Sequence, residues 1–350
     1  MSEKIKRFLV ENPQDTPFLV LDLELVVERY RLLKKVLPAV NIYYAIKANP
    51  ADEILVALER EGSCFDVASI AELEDCVRLG IPAARLSYGH TIKKEDDIAR
   101  AHAAGLDLFA FDSEAELEKT ARAAPGSRVF CRILTHGEGA DWPLSKKFGC
   151  RIDIAEELLK RAPKLGLQPH GVSFHVGSQQ KDPEQWDLAI AKTAGLFRNL
   201  KLAGIELQLI NLGGGIPAQY LSAVPTISCY GEAISASMRR HFGNQMPEMI
   251  LEPGRGLVGD AGVIQTEVIL IADRHNGDTL RWVYLDIGKF GGLPETIGEA
   301  IKYRIRTDRD GGETVTLADL RGAPVALAMV YADCGTACPM IVHDMKQIGE

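Results

Sequence analysis

Lys47 closes the apolar run NIYYAI and stands before AlaAsnPro, which puts a primary amine where a strand ends and a turn begins. A lysine there is most often simply solvated, but a partly desolvated one becomes a nucleophile that forms a Schiff base with an aldehyde. His175 and Ser178 lie in SFHVGSQQ. Alone, the histidine reads as a structural ring; the glycine two residues on lets backbone N–H groups and the Ser178 hydroxyl converge on a phosphate. NLGGGIP supplies Gly213, Gly214 and Gly215, either a flexible turn or a close backbone approach to a phosphate. It lacks the GxGxxG spacing and distant acid of a dinucleotide site. LEPGRG supplies Glu252, Gly254 and Arg255, which read either as an acid and a base paired across a turn or as a carboxylate facing a ring nitrogen. Together, an aldehyde acceptor, a ring to stack, a phosphate cradle and a carboxylate describe a site for pyridoxal 5'-phosphate, whose pyridine stays protonated beside an acid such as Glu252.

Such groups need a frame that gathers strand ends. Eight β-rich apolar runs, at 41–46, 64–68, 86–89, 108–111, 128–134, 171–176, 208–212 and 249–251, alternate with amphipathic stretches such as ADEILVALER, SIAELEDCVRLG and KKEDDIARAHAAG. This is the βα repeat of a parallel sheet, and eight repeats favour a closed (β/α)8 TIM barrel over an open Rossmann sheet. In a barrel the chemistry sits at the carboxyl ends of the strands, where these residues fall. TPFLVLDL near the start and VIQTEVILIAD, RWVYLDIG and PVALAMVYAD near the end have no interleaved helices and predict a β-rich second domain. The expected division is a cofactor-binding barrel over 25–260 and a β domain from 1–24 and 261–350. The loop from His136 to Lys147, rich in glycine and charge, is expected to act as a lid over the site.

Composition narrows the class. The 350 residues leave room for two domains and a large core, and 46% hydrophobic against 25% charged residues excludes disorder, collagen and coiled coil. Forty Lys and Arg against 48 Asp and Glu give a net charge of −8, which argues against a nucleic-acid partner. No segment has the apolar length of a membrane helix, and MSEKIKRFLVENPQD has no signal-peptide core, so a cytoplasmic location is expected. Seven scattered cysteines read as reduced thiols. Cys334, Cys338 and His343 near the end are a weak zinc pattern, and no metal is expected.

The segments YYAIKANP, FDVAS, the KFG at 147–149, SFHVGS, NLGGGIP and EPGR resemble those of the fold type III pyridoxal-phosphate enzymes, and within them the ornithine/lysine decarboxylase family more than the alanine racemases. The resemblance runs from TPFLVLDL to RWVYLDIG. It implies an alanine racemase-like barrel with a β domain, Lys47 as the Schiff-base lysine, and His175 stacked on the cofactor ring. It implies Ser178, Gly213, Gly214, Gly215 and Arg255 at the phosphate, Glu252 at the pyridine nitrogen, Gly254 among the cofactor-binding residues, and Asp66 and Arg132 near the cofactor. It further implies decarboxylation of L-ornithine to putrescine or L-lysine to cadaverine in polyamine biosynthesis, in a head-to-tail homodimer with shared active sites. There Asp286 binds the distal amine of the substrate, and Cys334 from the neighbouring subunit protonates the substrate carbon.

Two departures from the family stand out. Its Gly-Pro-Thr-Cys-Asp-Ser segment reads Tyr-Ala-Asp-Cys-Gly-Thr over 331–336, so Cys334 is kept while Gly335 replaces an acid, and Asp333 points to the other face of a strand. The β domain is expected to be shortened at its C-terminal end, without the family's Gly-Ala-Tyr. These leave two other readings open: a catalytically impaired cofactor-binding regulatory homologue, and another type III reaction such as racemisation, with Tyr331 as a second-face base.

Overall fold

In the computed structural model, residues 2–142, 147–273, 281–299, 301–307 and 324–329 are described. The parallel strands β2 (Val40–Ala45), β3 (Cys64–Val67), β4 (Leu86–Tyr88), β5 (Leu108–Phe111), β6 (Arg128–Arg132), β8 (Gln168–Ser173), β10 (Leu209–Asn211) and β11 (Glu248–Leu251) close into a barrel in the order β10-β11-β2-β3-β4-β5-β6-β8. Two short strands, β7 (Ala140–Trp142) and β9 (Ser178–Gln180), form an antiparallel pair outside it. The barrel is a packed core: Tyr43, Leu108, Ala110, Phe130, Leu209 and Ile250 form one buried cluster. Gly171 allows the strands to approach, because a Cβ there would stand 2.3 Å from the Leu209 carbonyl oxygen.

Helices between the strands begin where the sequence supplies caps. Ser69 accepts the Glu72 N–H at the start of Ile70–Arg78, and Ser113 accepts the Glu116 N–H at the start of Glu114–Ala123. Both are Ser-x-x-Glu starts, in which the acid is drawn back toward the preceding loop.

The second unit is antiparallel. Strands β1 (Phe18–Leu21), β12 (Gly262–Asp273), β15 (Pro324–Met329) and β14 (Ile305–Thr307) pair in that order, with β13 (Arg281–Leu285) also on β12. Its core gathers Ile264 with Leu19, Leu285, Ile287, Leu293 and Tyr303. Contacts divide the chain into one unit of 27–217 with 224–257 and another of 1–26, 218–223 and 258–350. The loop 218–223 therefore folds with the β unit, where Ala218 and Tyr220 pack against Ile301 and Tyr303. The helix Glu3–Glu11, capped by Ser2, has no counterpart in the sequence reading; it buries only Ile5.

Strand ends correct the sequence reading in several places. The expected strand 41–46 gives way at Ile46 to a 3-10 turn over Ile46–Ala48. The expected strand 171–176 is β8, which stops at Ser173, and 128–134 is β6, which stops at Arg132 and continues only as a bridge between Ile133 and Cys150. His175 and Lys47 thus sit in the segments leaving the barrel, not on its strands. The described part of the expected lid contains β7, and the Gln180 amide donates to the Glu138 carbonyl at 2.8 Å.

Candidate active site

The turn that carries Lys47 is pinned on both sides. Ile46 and Ala48 are fully buried, and the Tyr44 hydroxyl donates to the Asn49 carbonyl at 3.0 Å. The Ala45 N–H donates to the Pro253 carbonyl at 3.1 Å, and a Cβ on Gly254 would lie 2.8 Å from that of Ala48. Glycine at 254 therefore lets the EPGR turn lie against the lysine turn, and Lys47 itself is half-buried.

The neighbouring strand end holds the glycine turn. Gly213 has φ +65°, and a Cβ there would sit 2.0 Å from the Phe174 carbonyl oxygen. A Cβ on Gly214 would stand 2.7 Å from the Glu252 carbonyl oxygen and 2.9 Å from His175 Nε2. A side chain at 214 would fill the space beside the imidazole, so the turn is a bare-backbone cradle that suits a phosphorylated ring compound. Beside it, the buried Arg255 donates from Nε to Ser178 Oγ at 3.1 Å. His175 Nδ1 accepts the Gly177 N–H at 3.0 Å, which fixes the ring orientation. Burial, then the cations Arg132 and Lys47, push the imidazole pKa well below its ordinary value and keep it neutral.

Carboxylates face these cations. Asp66 is 3% exposed and receives the Ser87 hydroxyl at 3.3 Å. Burial and the charge of Glu252 raise its pKa well above the usual range, while Lys47 pulls the other way. Space for it is kept by Gly89, where a Cβ would meet Asp66 Oδ1 at 2.1 Å. Arg132 has its pKa lowered by burial, opposed by Glu252, Asp112 and Asp66. Its guanidinium carbon stands 5.4 Å from the Phe148 ring centroid, and the Gly149 N–H donates to Asp112 at 2.7 Å, so the KFG segment is tied to the ends of β5 and β6.

Glu72 and Asn211 are the residues that sequence reading missed. Glu72 carries a signal, the Ser-x-x-Glu helix start, and its carboxylate accepts the Ala68 N–H at 2.7 Å. Burial pushes its pKa up to about 7, with that N–H and Lys47 working against the rise. The folded state therefore binds more protons than the unfolded one between pH 4.5 and 7, and stability falls as pH rises through that window. The full penalty above it is on the order of 3 kcal/mol. Glu72→Gln keeps an acceptor for Ala68 and is expected to flatten this slope, read by denaturant unfolding of cofactor-free protein at pH 5 and pH 8.

Asp286 belongs to the β unit. Its carboxylate accepts the Thr266 hydroxyl and, at 3.0 Å, the Glu267 N–H. Cys334, with Tyr331, Asp333, Gly335, Cys338 and His343, lies outside the described residues. Among the described residues no group of three or more His, Cys, Asp or Glu is arranged to hold a metal, and no helix is long and apolar enough to cross a membrane.

Residues 23–259 match the family described as pyridoxal-dependent decarboxylase, pyridoxal binding domain. The chain is 34% identical over 277 residues to a lysine/ornithine decarboxylase of Selenomonas ruminantium, covering 79% of this chain and 69% of that enzyme. It is 32% identical over 270 residues to the ornithine decarboxylase of Mus musculus, covering 77% of this chain and 58% of that one. The arginine decarboxylase of Paramecium bursaria Chlorella virus superposes with a TM-score of 0.85 at 25% identity, over 95% of both chains.

Proposed function

Because the chain belongs to the pyridoxal-dependent decarboxylases, with pyridoxal phosphate as cofactor, we propose that it decarboxylates a basic amino acid, L-ornithine to putrescine or L-lysine to cadaverine, in polyamine biosynthesis. The observation that supports this most is the order of three adjacent barrel strands: the glycine turn follows β10, Glu252 follows β11 and the Lys47 turn follows β2. The cofactor supplies an aldehyde that takes up amines and a ring that accepts electrons from the substrate carbon.

Lys47 offers the amine for that aldehyde, and the neutral His175 ring offers a flat face. Glu252 holds the proton at the pyridine nitrogen. Gly213, Gly214, Gly215, Gly254, Ser178 and Arg255 hold the phosphate, and Asp66 and Arg132 balance charge around the ring. In a head-to-tail homodimer, the form this reading calls for, Cys334 of the neighbouring subunit delivers a proton to the substrate carbon. Asp286 binds the distal ammonium. With Gly335 in place of the family's acid, Asp286 acts alone, which is worth about 1.5 to 3 kcal/mol less binding than a pair of acids. The same substitution favours a second reading, a regulatory homologue that binds cofactor with little turnover.

The decisive experiment offers ornithine, lysine, arginine and diaminopimelate together to the holoenzyme and identifies the amines formed. Putrescine or cadaverine with CO₂ is expected. Agmatine alone, or deuterium entry at the substrate carbon without CO₂, overturns the substrate assignment, and cofactor binding without any product supports the regulatory reading.

A further inference from the structure

The structure contains a closed circuit of three hydrogen bonds that no motif announces. Asn211 Oδ1 accepts the Gly213 N–H at 2.9 Å, the Gly213 carbonyl accepts the Glu252 N–H at 2.8 Å, and Asn211 Nδ2 donates to Glu252 Oε1. The backbone N–H of Gly213 identifies the amide oxygen of Asn211, so the nitrogen is the atom that faces the carboxylate. Asn211 is 0% exposed, so bulk solvent does not compete for either bond. Only an amide of this length offers an acceptor to the glycine turn and a donor to the acid at once.

We propose that Asn211 is a positioning residue that sets the ring-nitrogen acid and the phosphate cradle in one register, by holding Glu252 Oε1 so that Oε2 is the oxygen presented to the cofactor ring. The inference rests on the reading of Glu252 given above. Other elements cannot easily substitute for this restraint. Two charged groups act electrostatically with Glu252: Asp66 from β3, whose ionised form is opposed by it, and Arg132 from β6, whose charge it favours. The neutral donor from β10 restrains the carboxylate without adding charge.

The two bonds can be separated. Asn211→Asp keeps an acceptor for the Gly213 N–H but turns an acceptor toward Glu252. Pyridoxal phosphate affinity, followed by tryptophan fluorescence, is expected to fall about tenfold or more, with a shifted visible spectrum of the bound cofactor. Inorganic phosphate, which probes the cradle alone, should bind within about threefold of the parent. In a Glu252→Gln background the same Asn211→Asp change should add almost nothing to the loss, as expected of a residue acting through Glu252. If burying the aspartate prevents folding, as judged by circular dichroism, Asn211→Ser enters the same cycle and is expected to weaken both probes. The proposal is overturned if the folded variant binds pyridoxal phosphate within about twofold of the parent with an unchanged spectrum, or if its effect is undiminished in the Glu252→Gln background. Should Glu252→Gln itself leave cofactor affinity and spectrum unchanged, it is the reading of Glu252 that fails.

Discussion

Lys47→Ala is expected to reduce turnover by about three decades or more, roughly 4 kcal/mol of activation free energy, and to remove the visible absorption of the bound cofactor. The size follows from the loss of the one amine placed just past the carboxyl end of β2, next to the strand that Glu252 follows. Lys47→Arg separates nucleophile from charge. Arginine keeps a cation opposite Asp66 and Glu72, whose carboxyls Lys47 pulls toward ionisation, but offers no condensing amine. Both variants should lose turnover alike. Only the alanine variant should lose that pull on the two acids, deepening the fall in stability toward high pH. An arginine variant retaining more than about a hundredth of parental turnover would show that the amine's chemistry is not required.

The second large effect is on stability. The Lys93 side chain is 1% exposed and pairs with Glu116 at 2.9 Å, and the Glu116 side chain, at 4%, also receives Lys119 at 2.6 Å. The Lys93 amine further donates to the His90 and Ala110 carbonyls at 2.9 and 2.7 Å, tying the segment after β4 to β5. Glu116→Ala strands a buried ammonium and is expected to destabilise the protein by roughly 3 to 5 kcal/mol, a fall of about 10 °C in midpoint temperature. The pH dependence identifies the cause. Burial pushes the Lys93 pKa down to about 8, and Glu116 opposes the fall. A folded value below the unfolded one means that stability rises with pH between about 8 and 10.5. Without Glu116 that window extends to lower pH, so the variant's deficit should be larger at pH 6 than at pH 9. A deficit that is constant across this range would point to lost packing instead.

The legible parts of this protein were those whose chemistry lies beside an apolar run. Lys47, the glycine turn and Glu252 each lie within two residues of a strand's end, and so the barrel and its cofactor were readable together. Strand ends were less so. Phe174 and Val176 are each 1% exposed, so hydrophobicity continues past Ser173, where the ladder of β8 has stopped. Asn211 looked like an ordinary strand residue because its partners are a backbone N–H two positions away and an acid 41 positions away. Lys93 and Glu116 are 23 positions apart, and nothing in either segment marks a buried ion pair. The loop 218–223 shows no change of composition, yet Tyr220 meets Tyr303 edge-on at 5.4 Å within the β unit. Long-range pairing of this kind is invisible to periodicity, which reports only which face of an element is apolar.

The β unit also imposes an order on synthesis. Phe18 of β1 is hydrogen-bonded in register with Gln265 of β12, a separation of 247 positions. At about 5–20 residues per second, a ribosome needs roughly 12 to 50 s between making the first of these strands and the second. Throughout that interval the nascent chain carries an apolar strand with an unpaired edge while the whole barrel is made behind it. A chaperone that shields β1 until translation has passed β12 would raise the yield of this protein more than one that acts on the released chain.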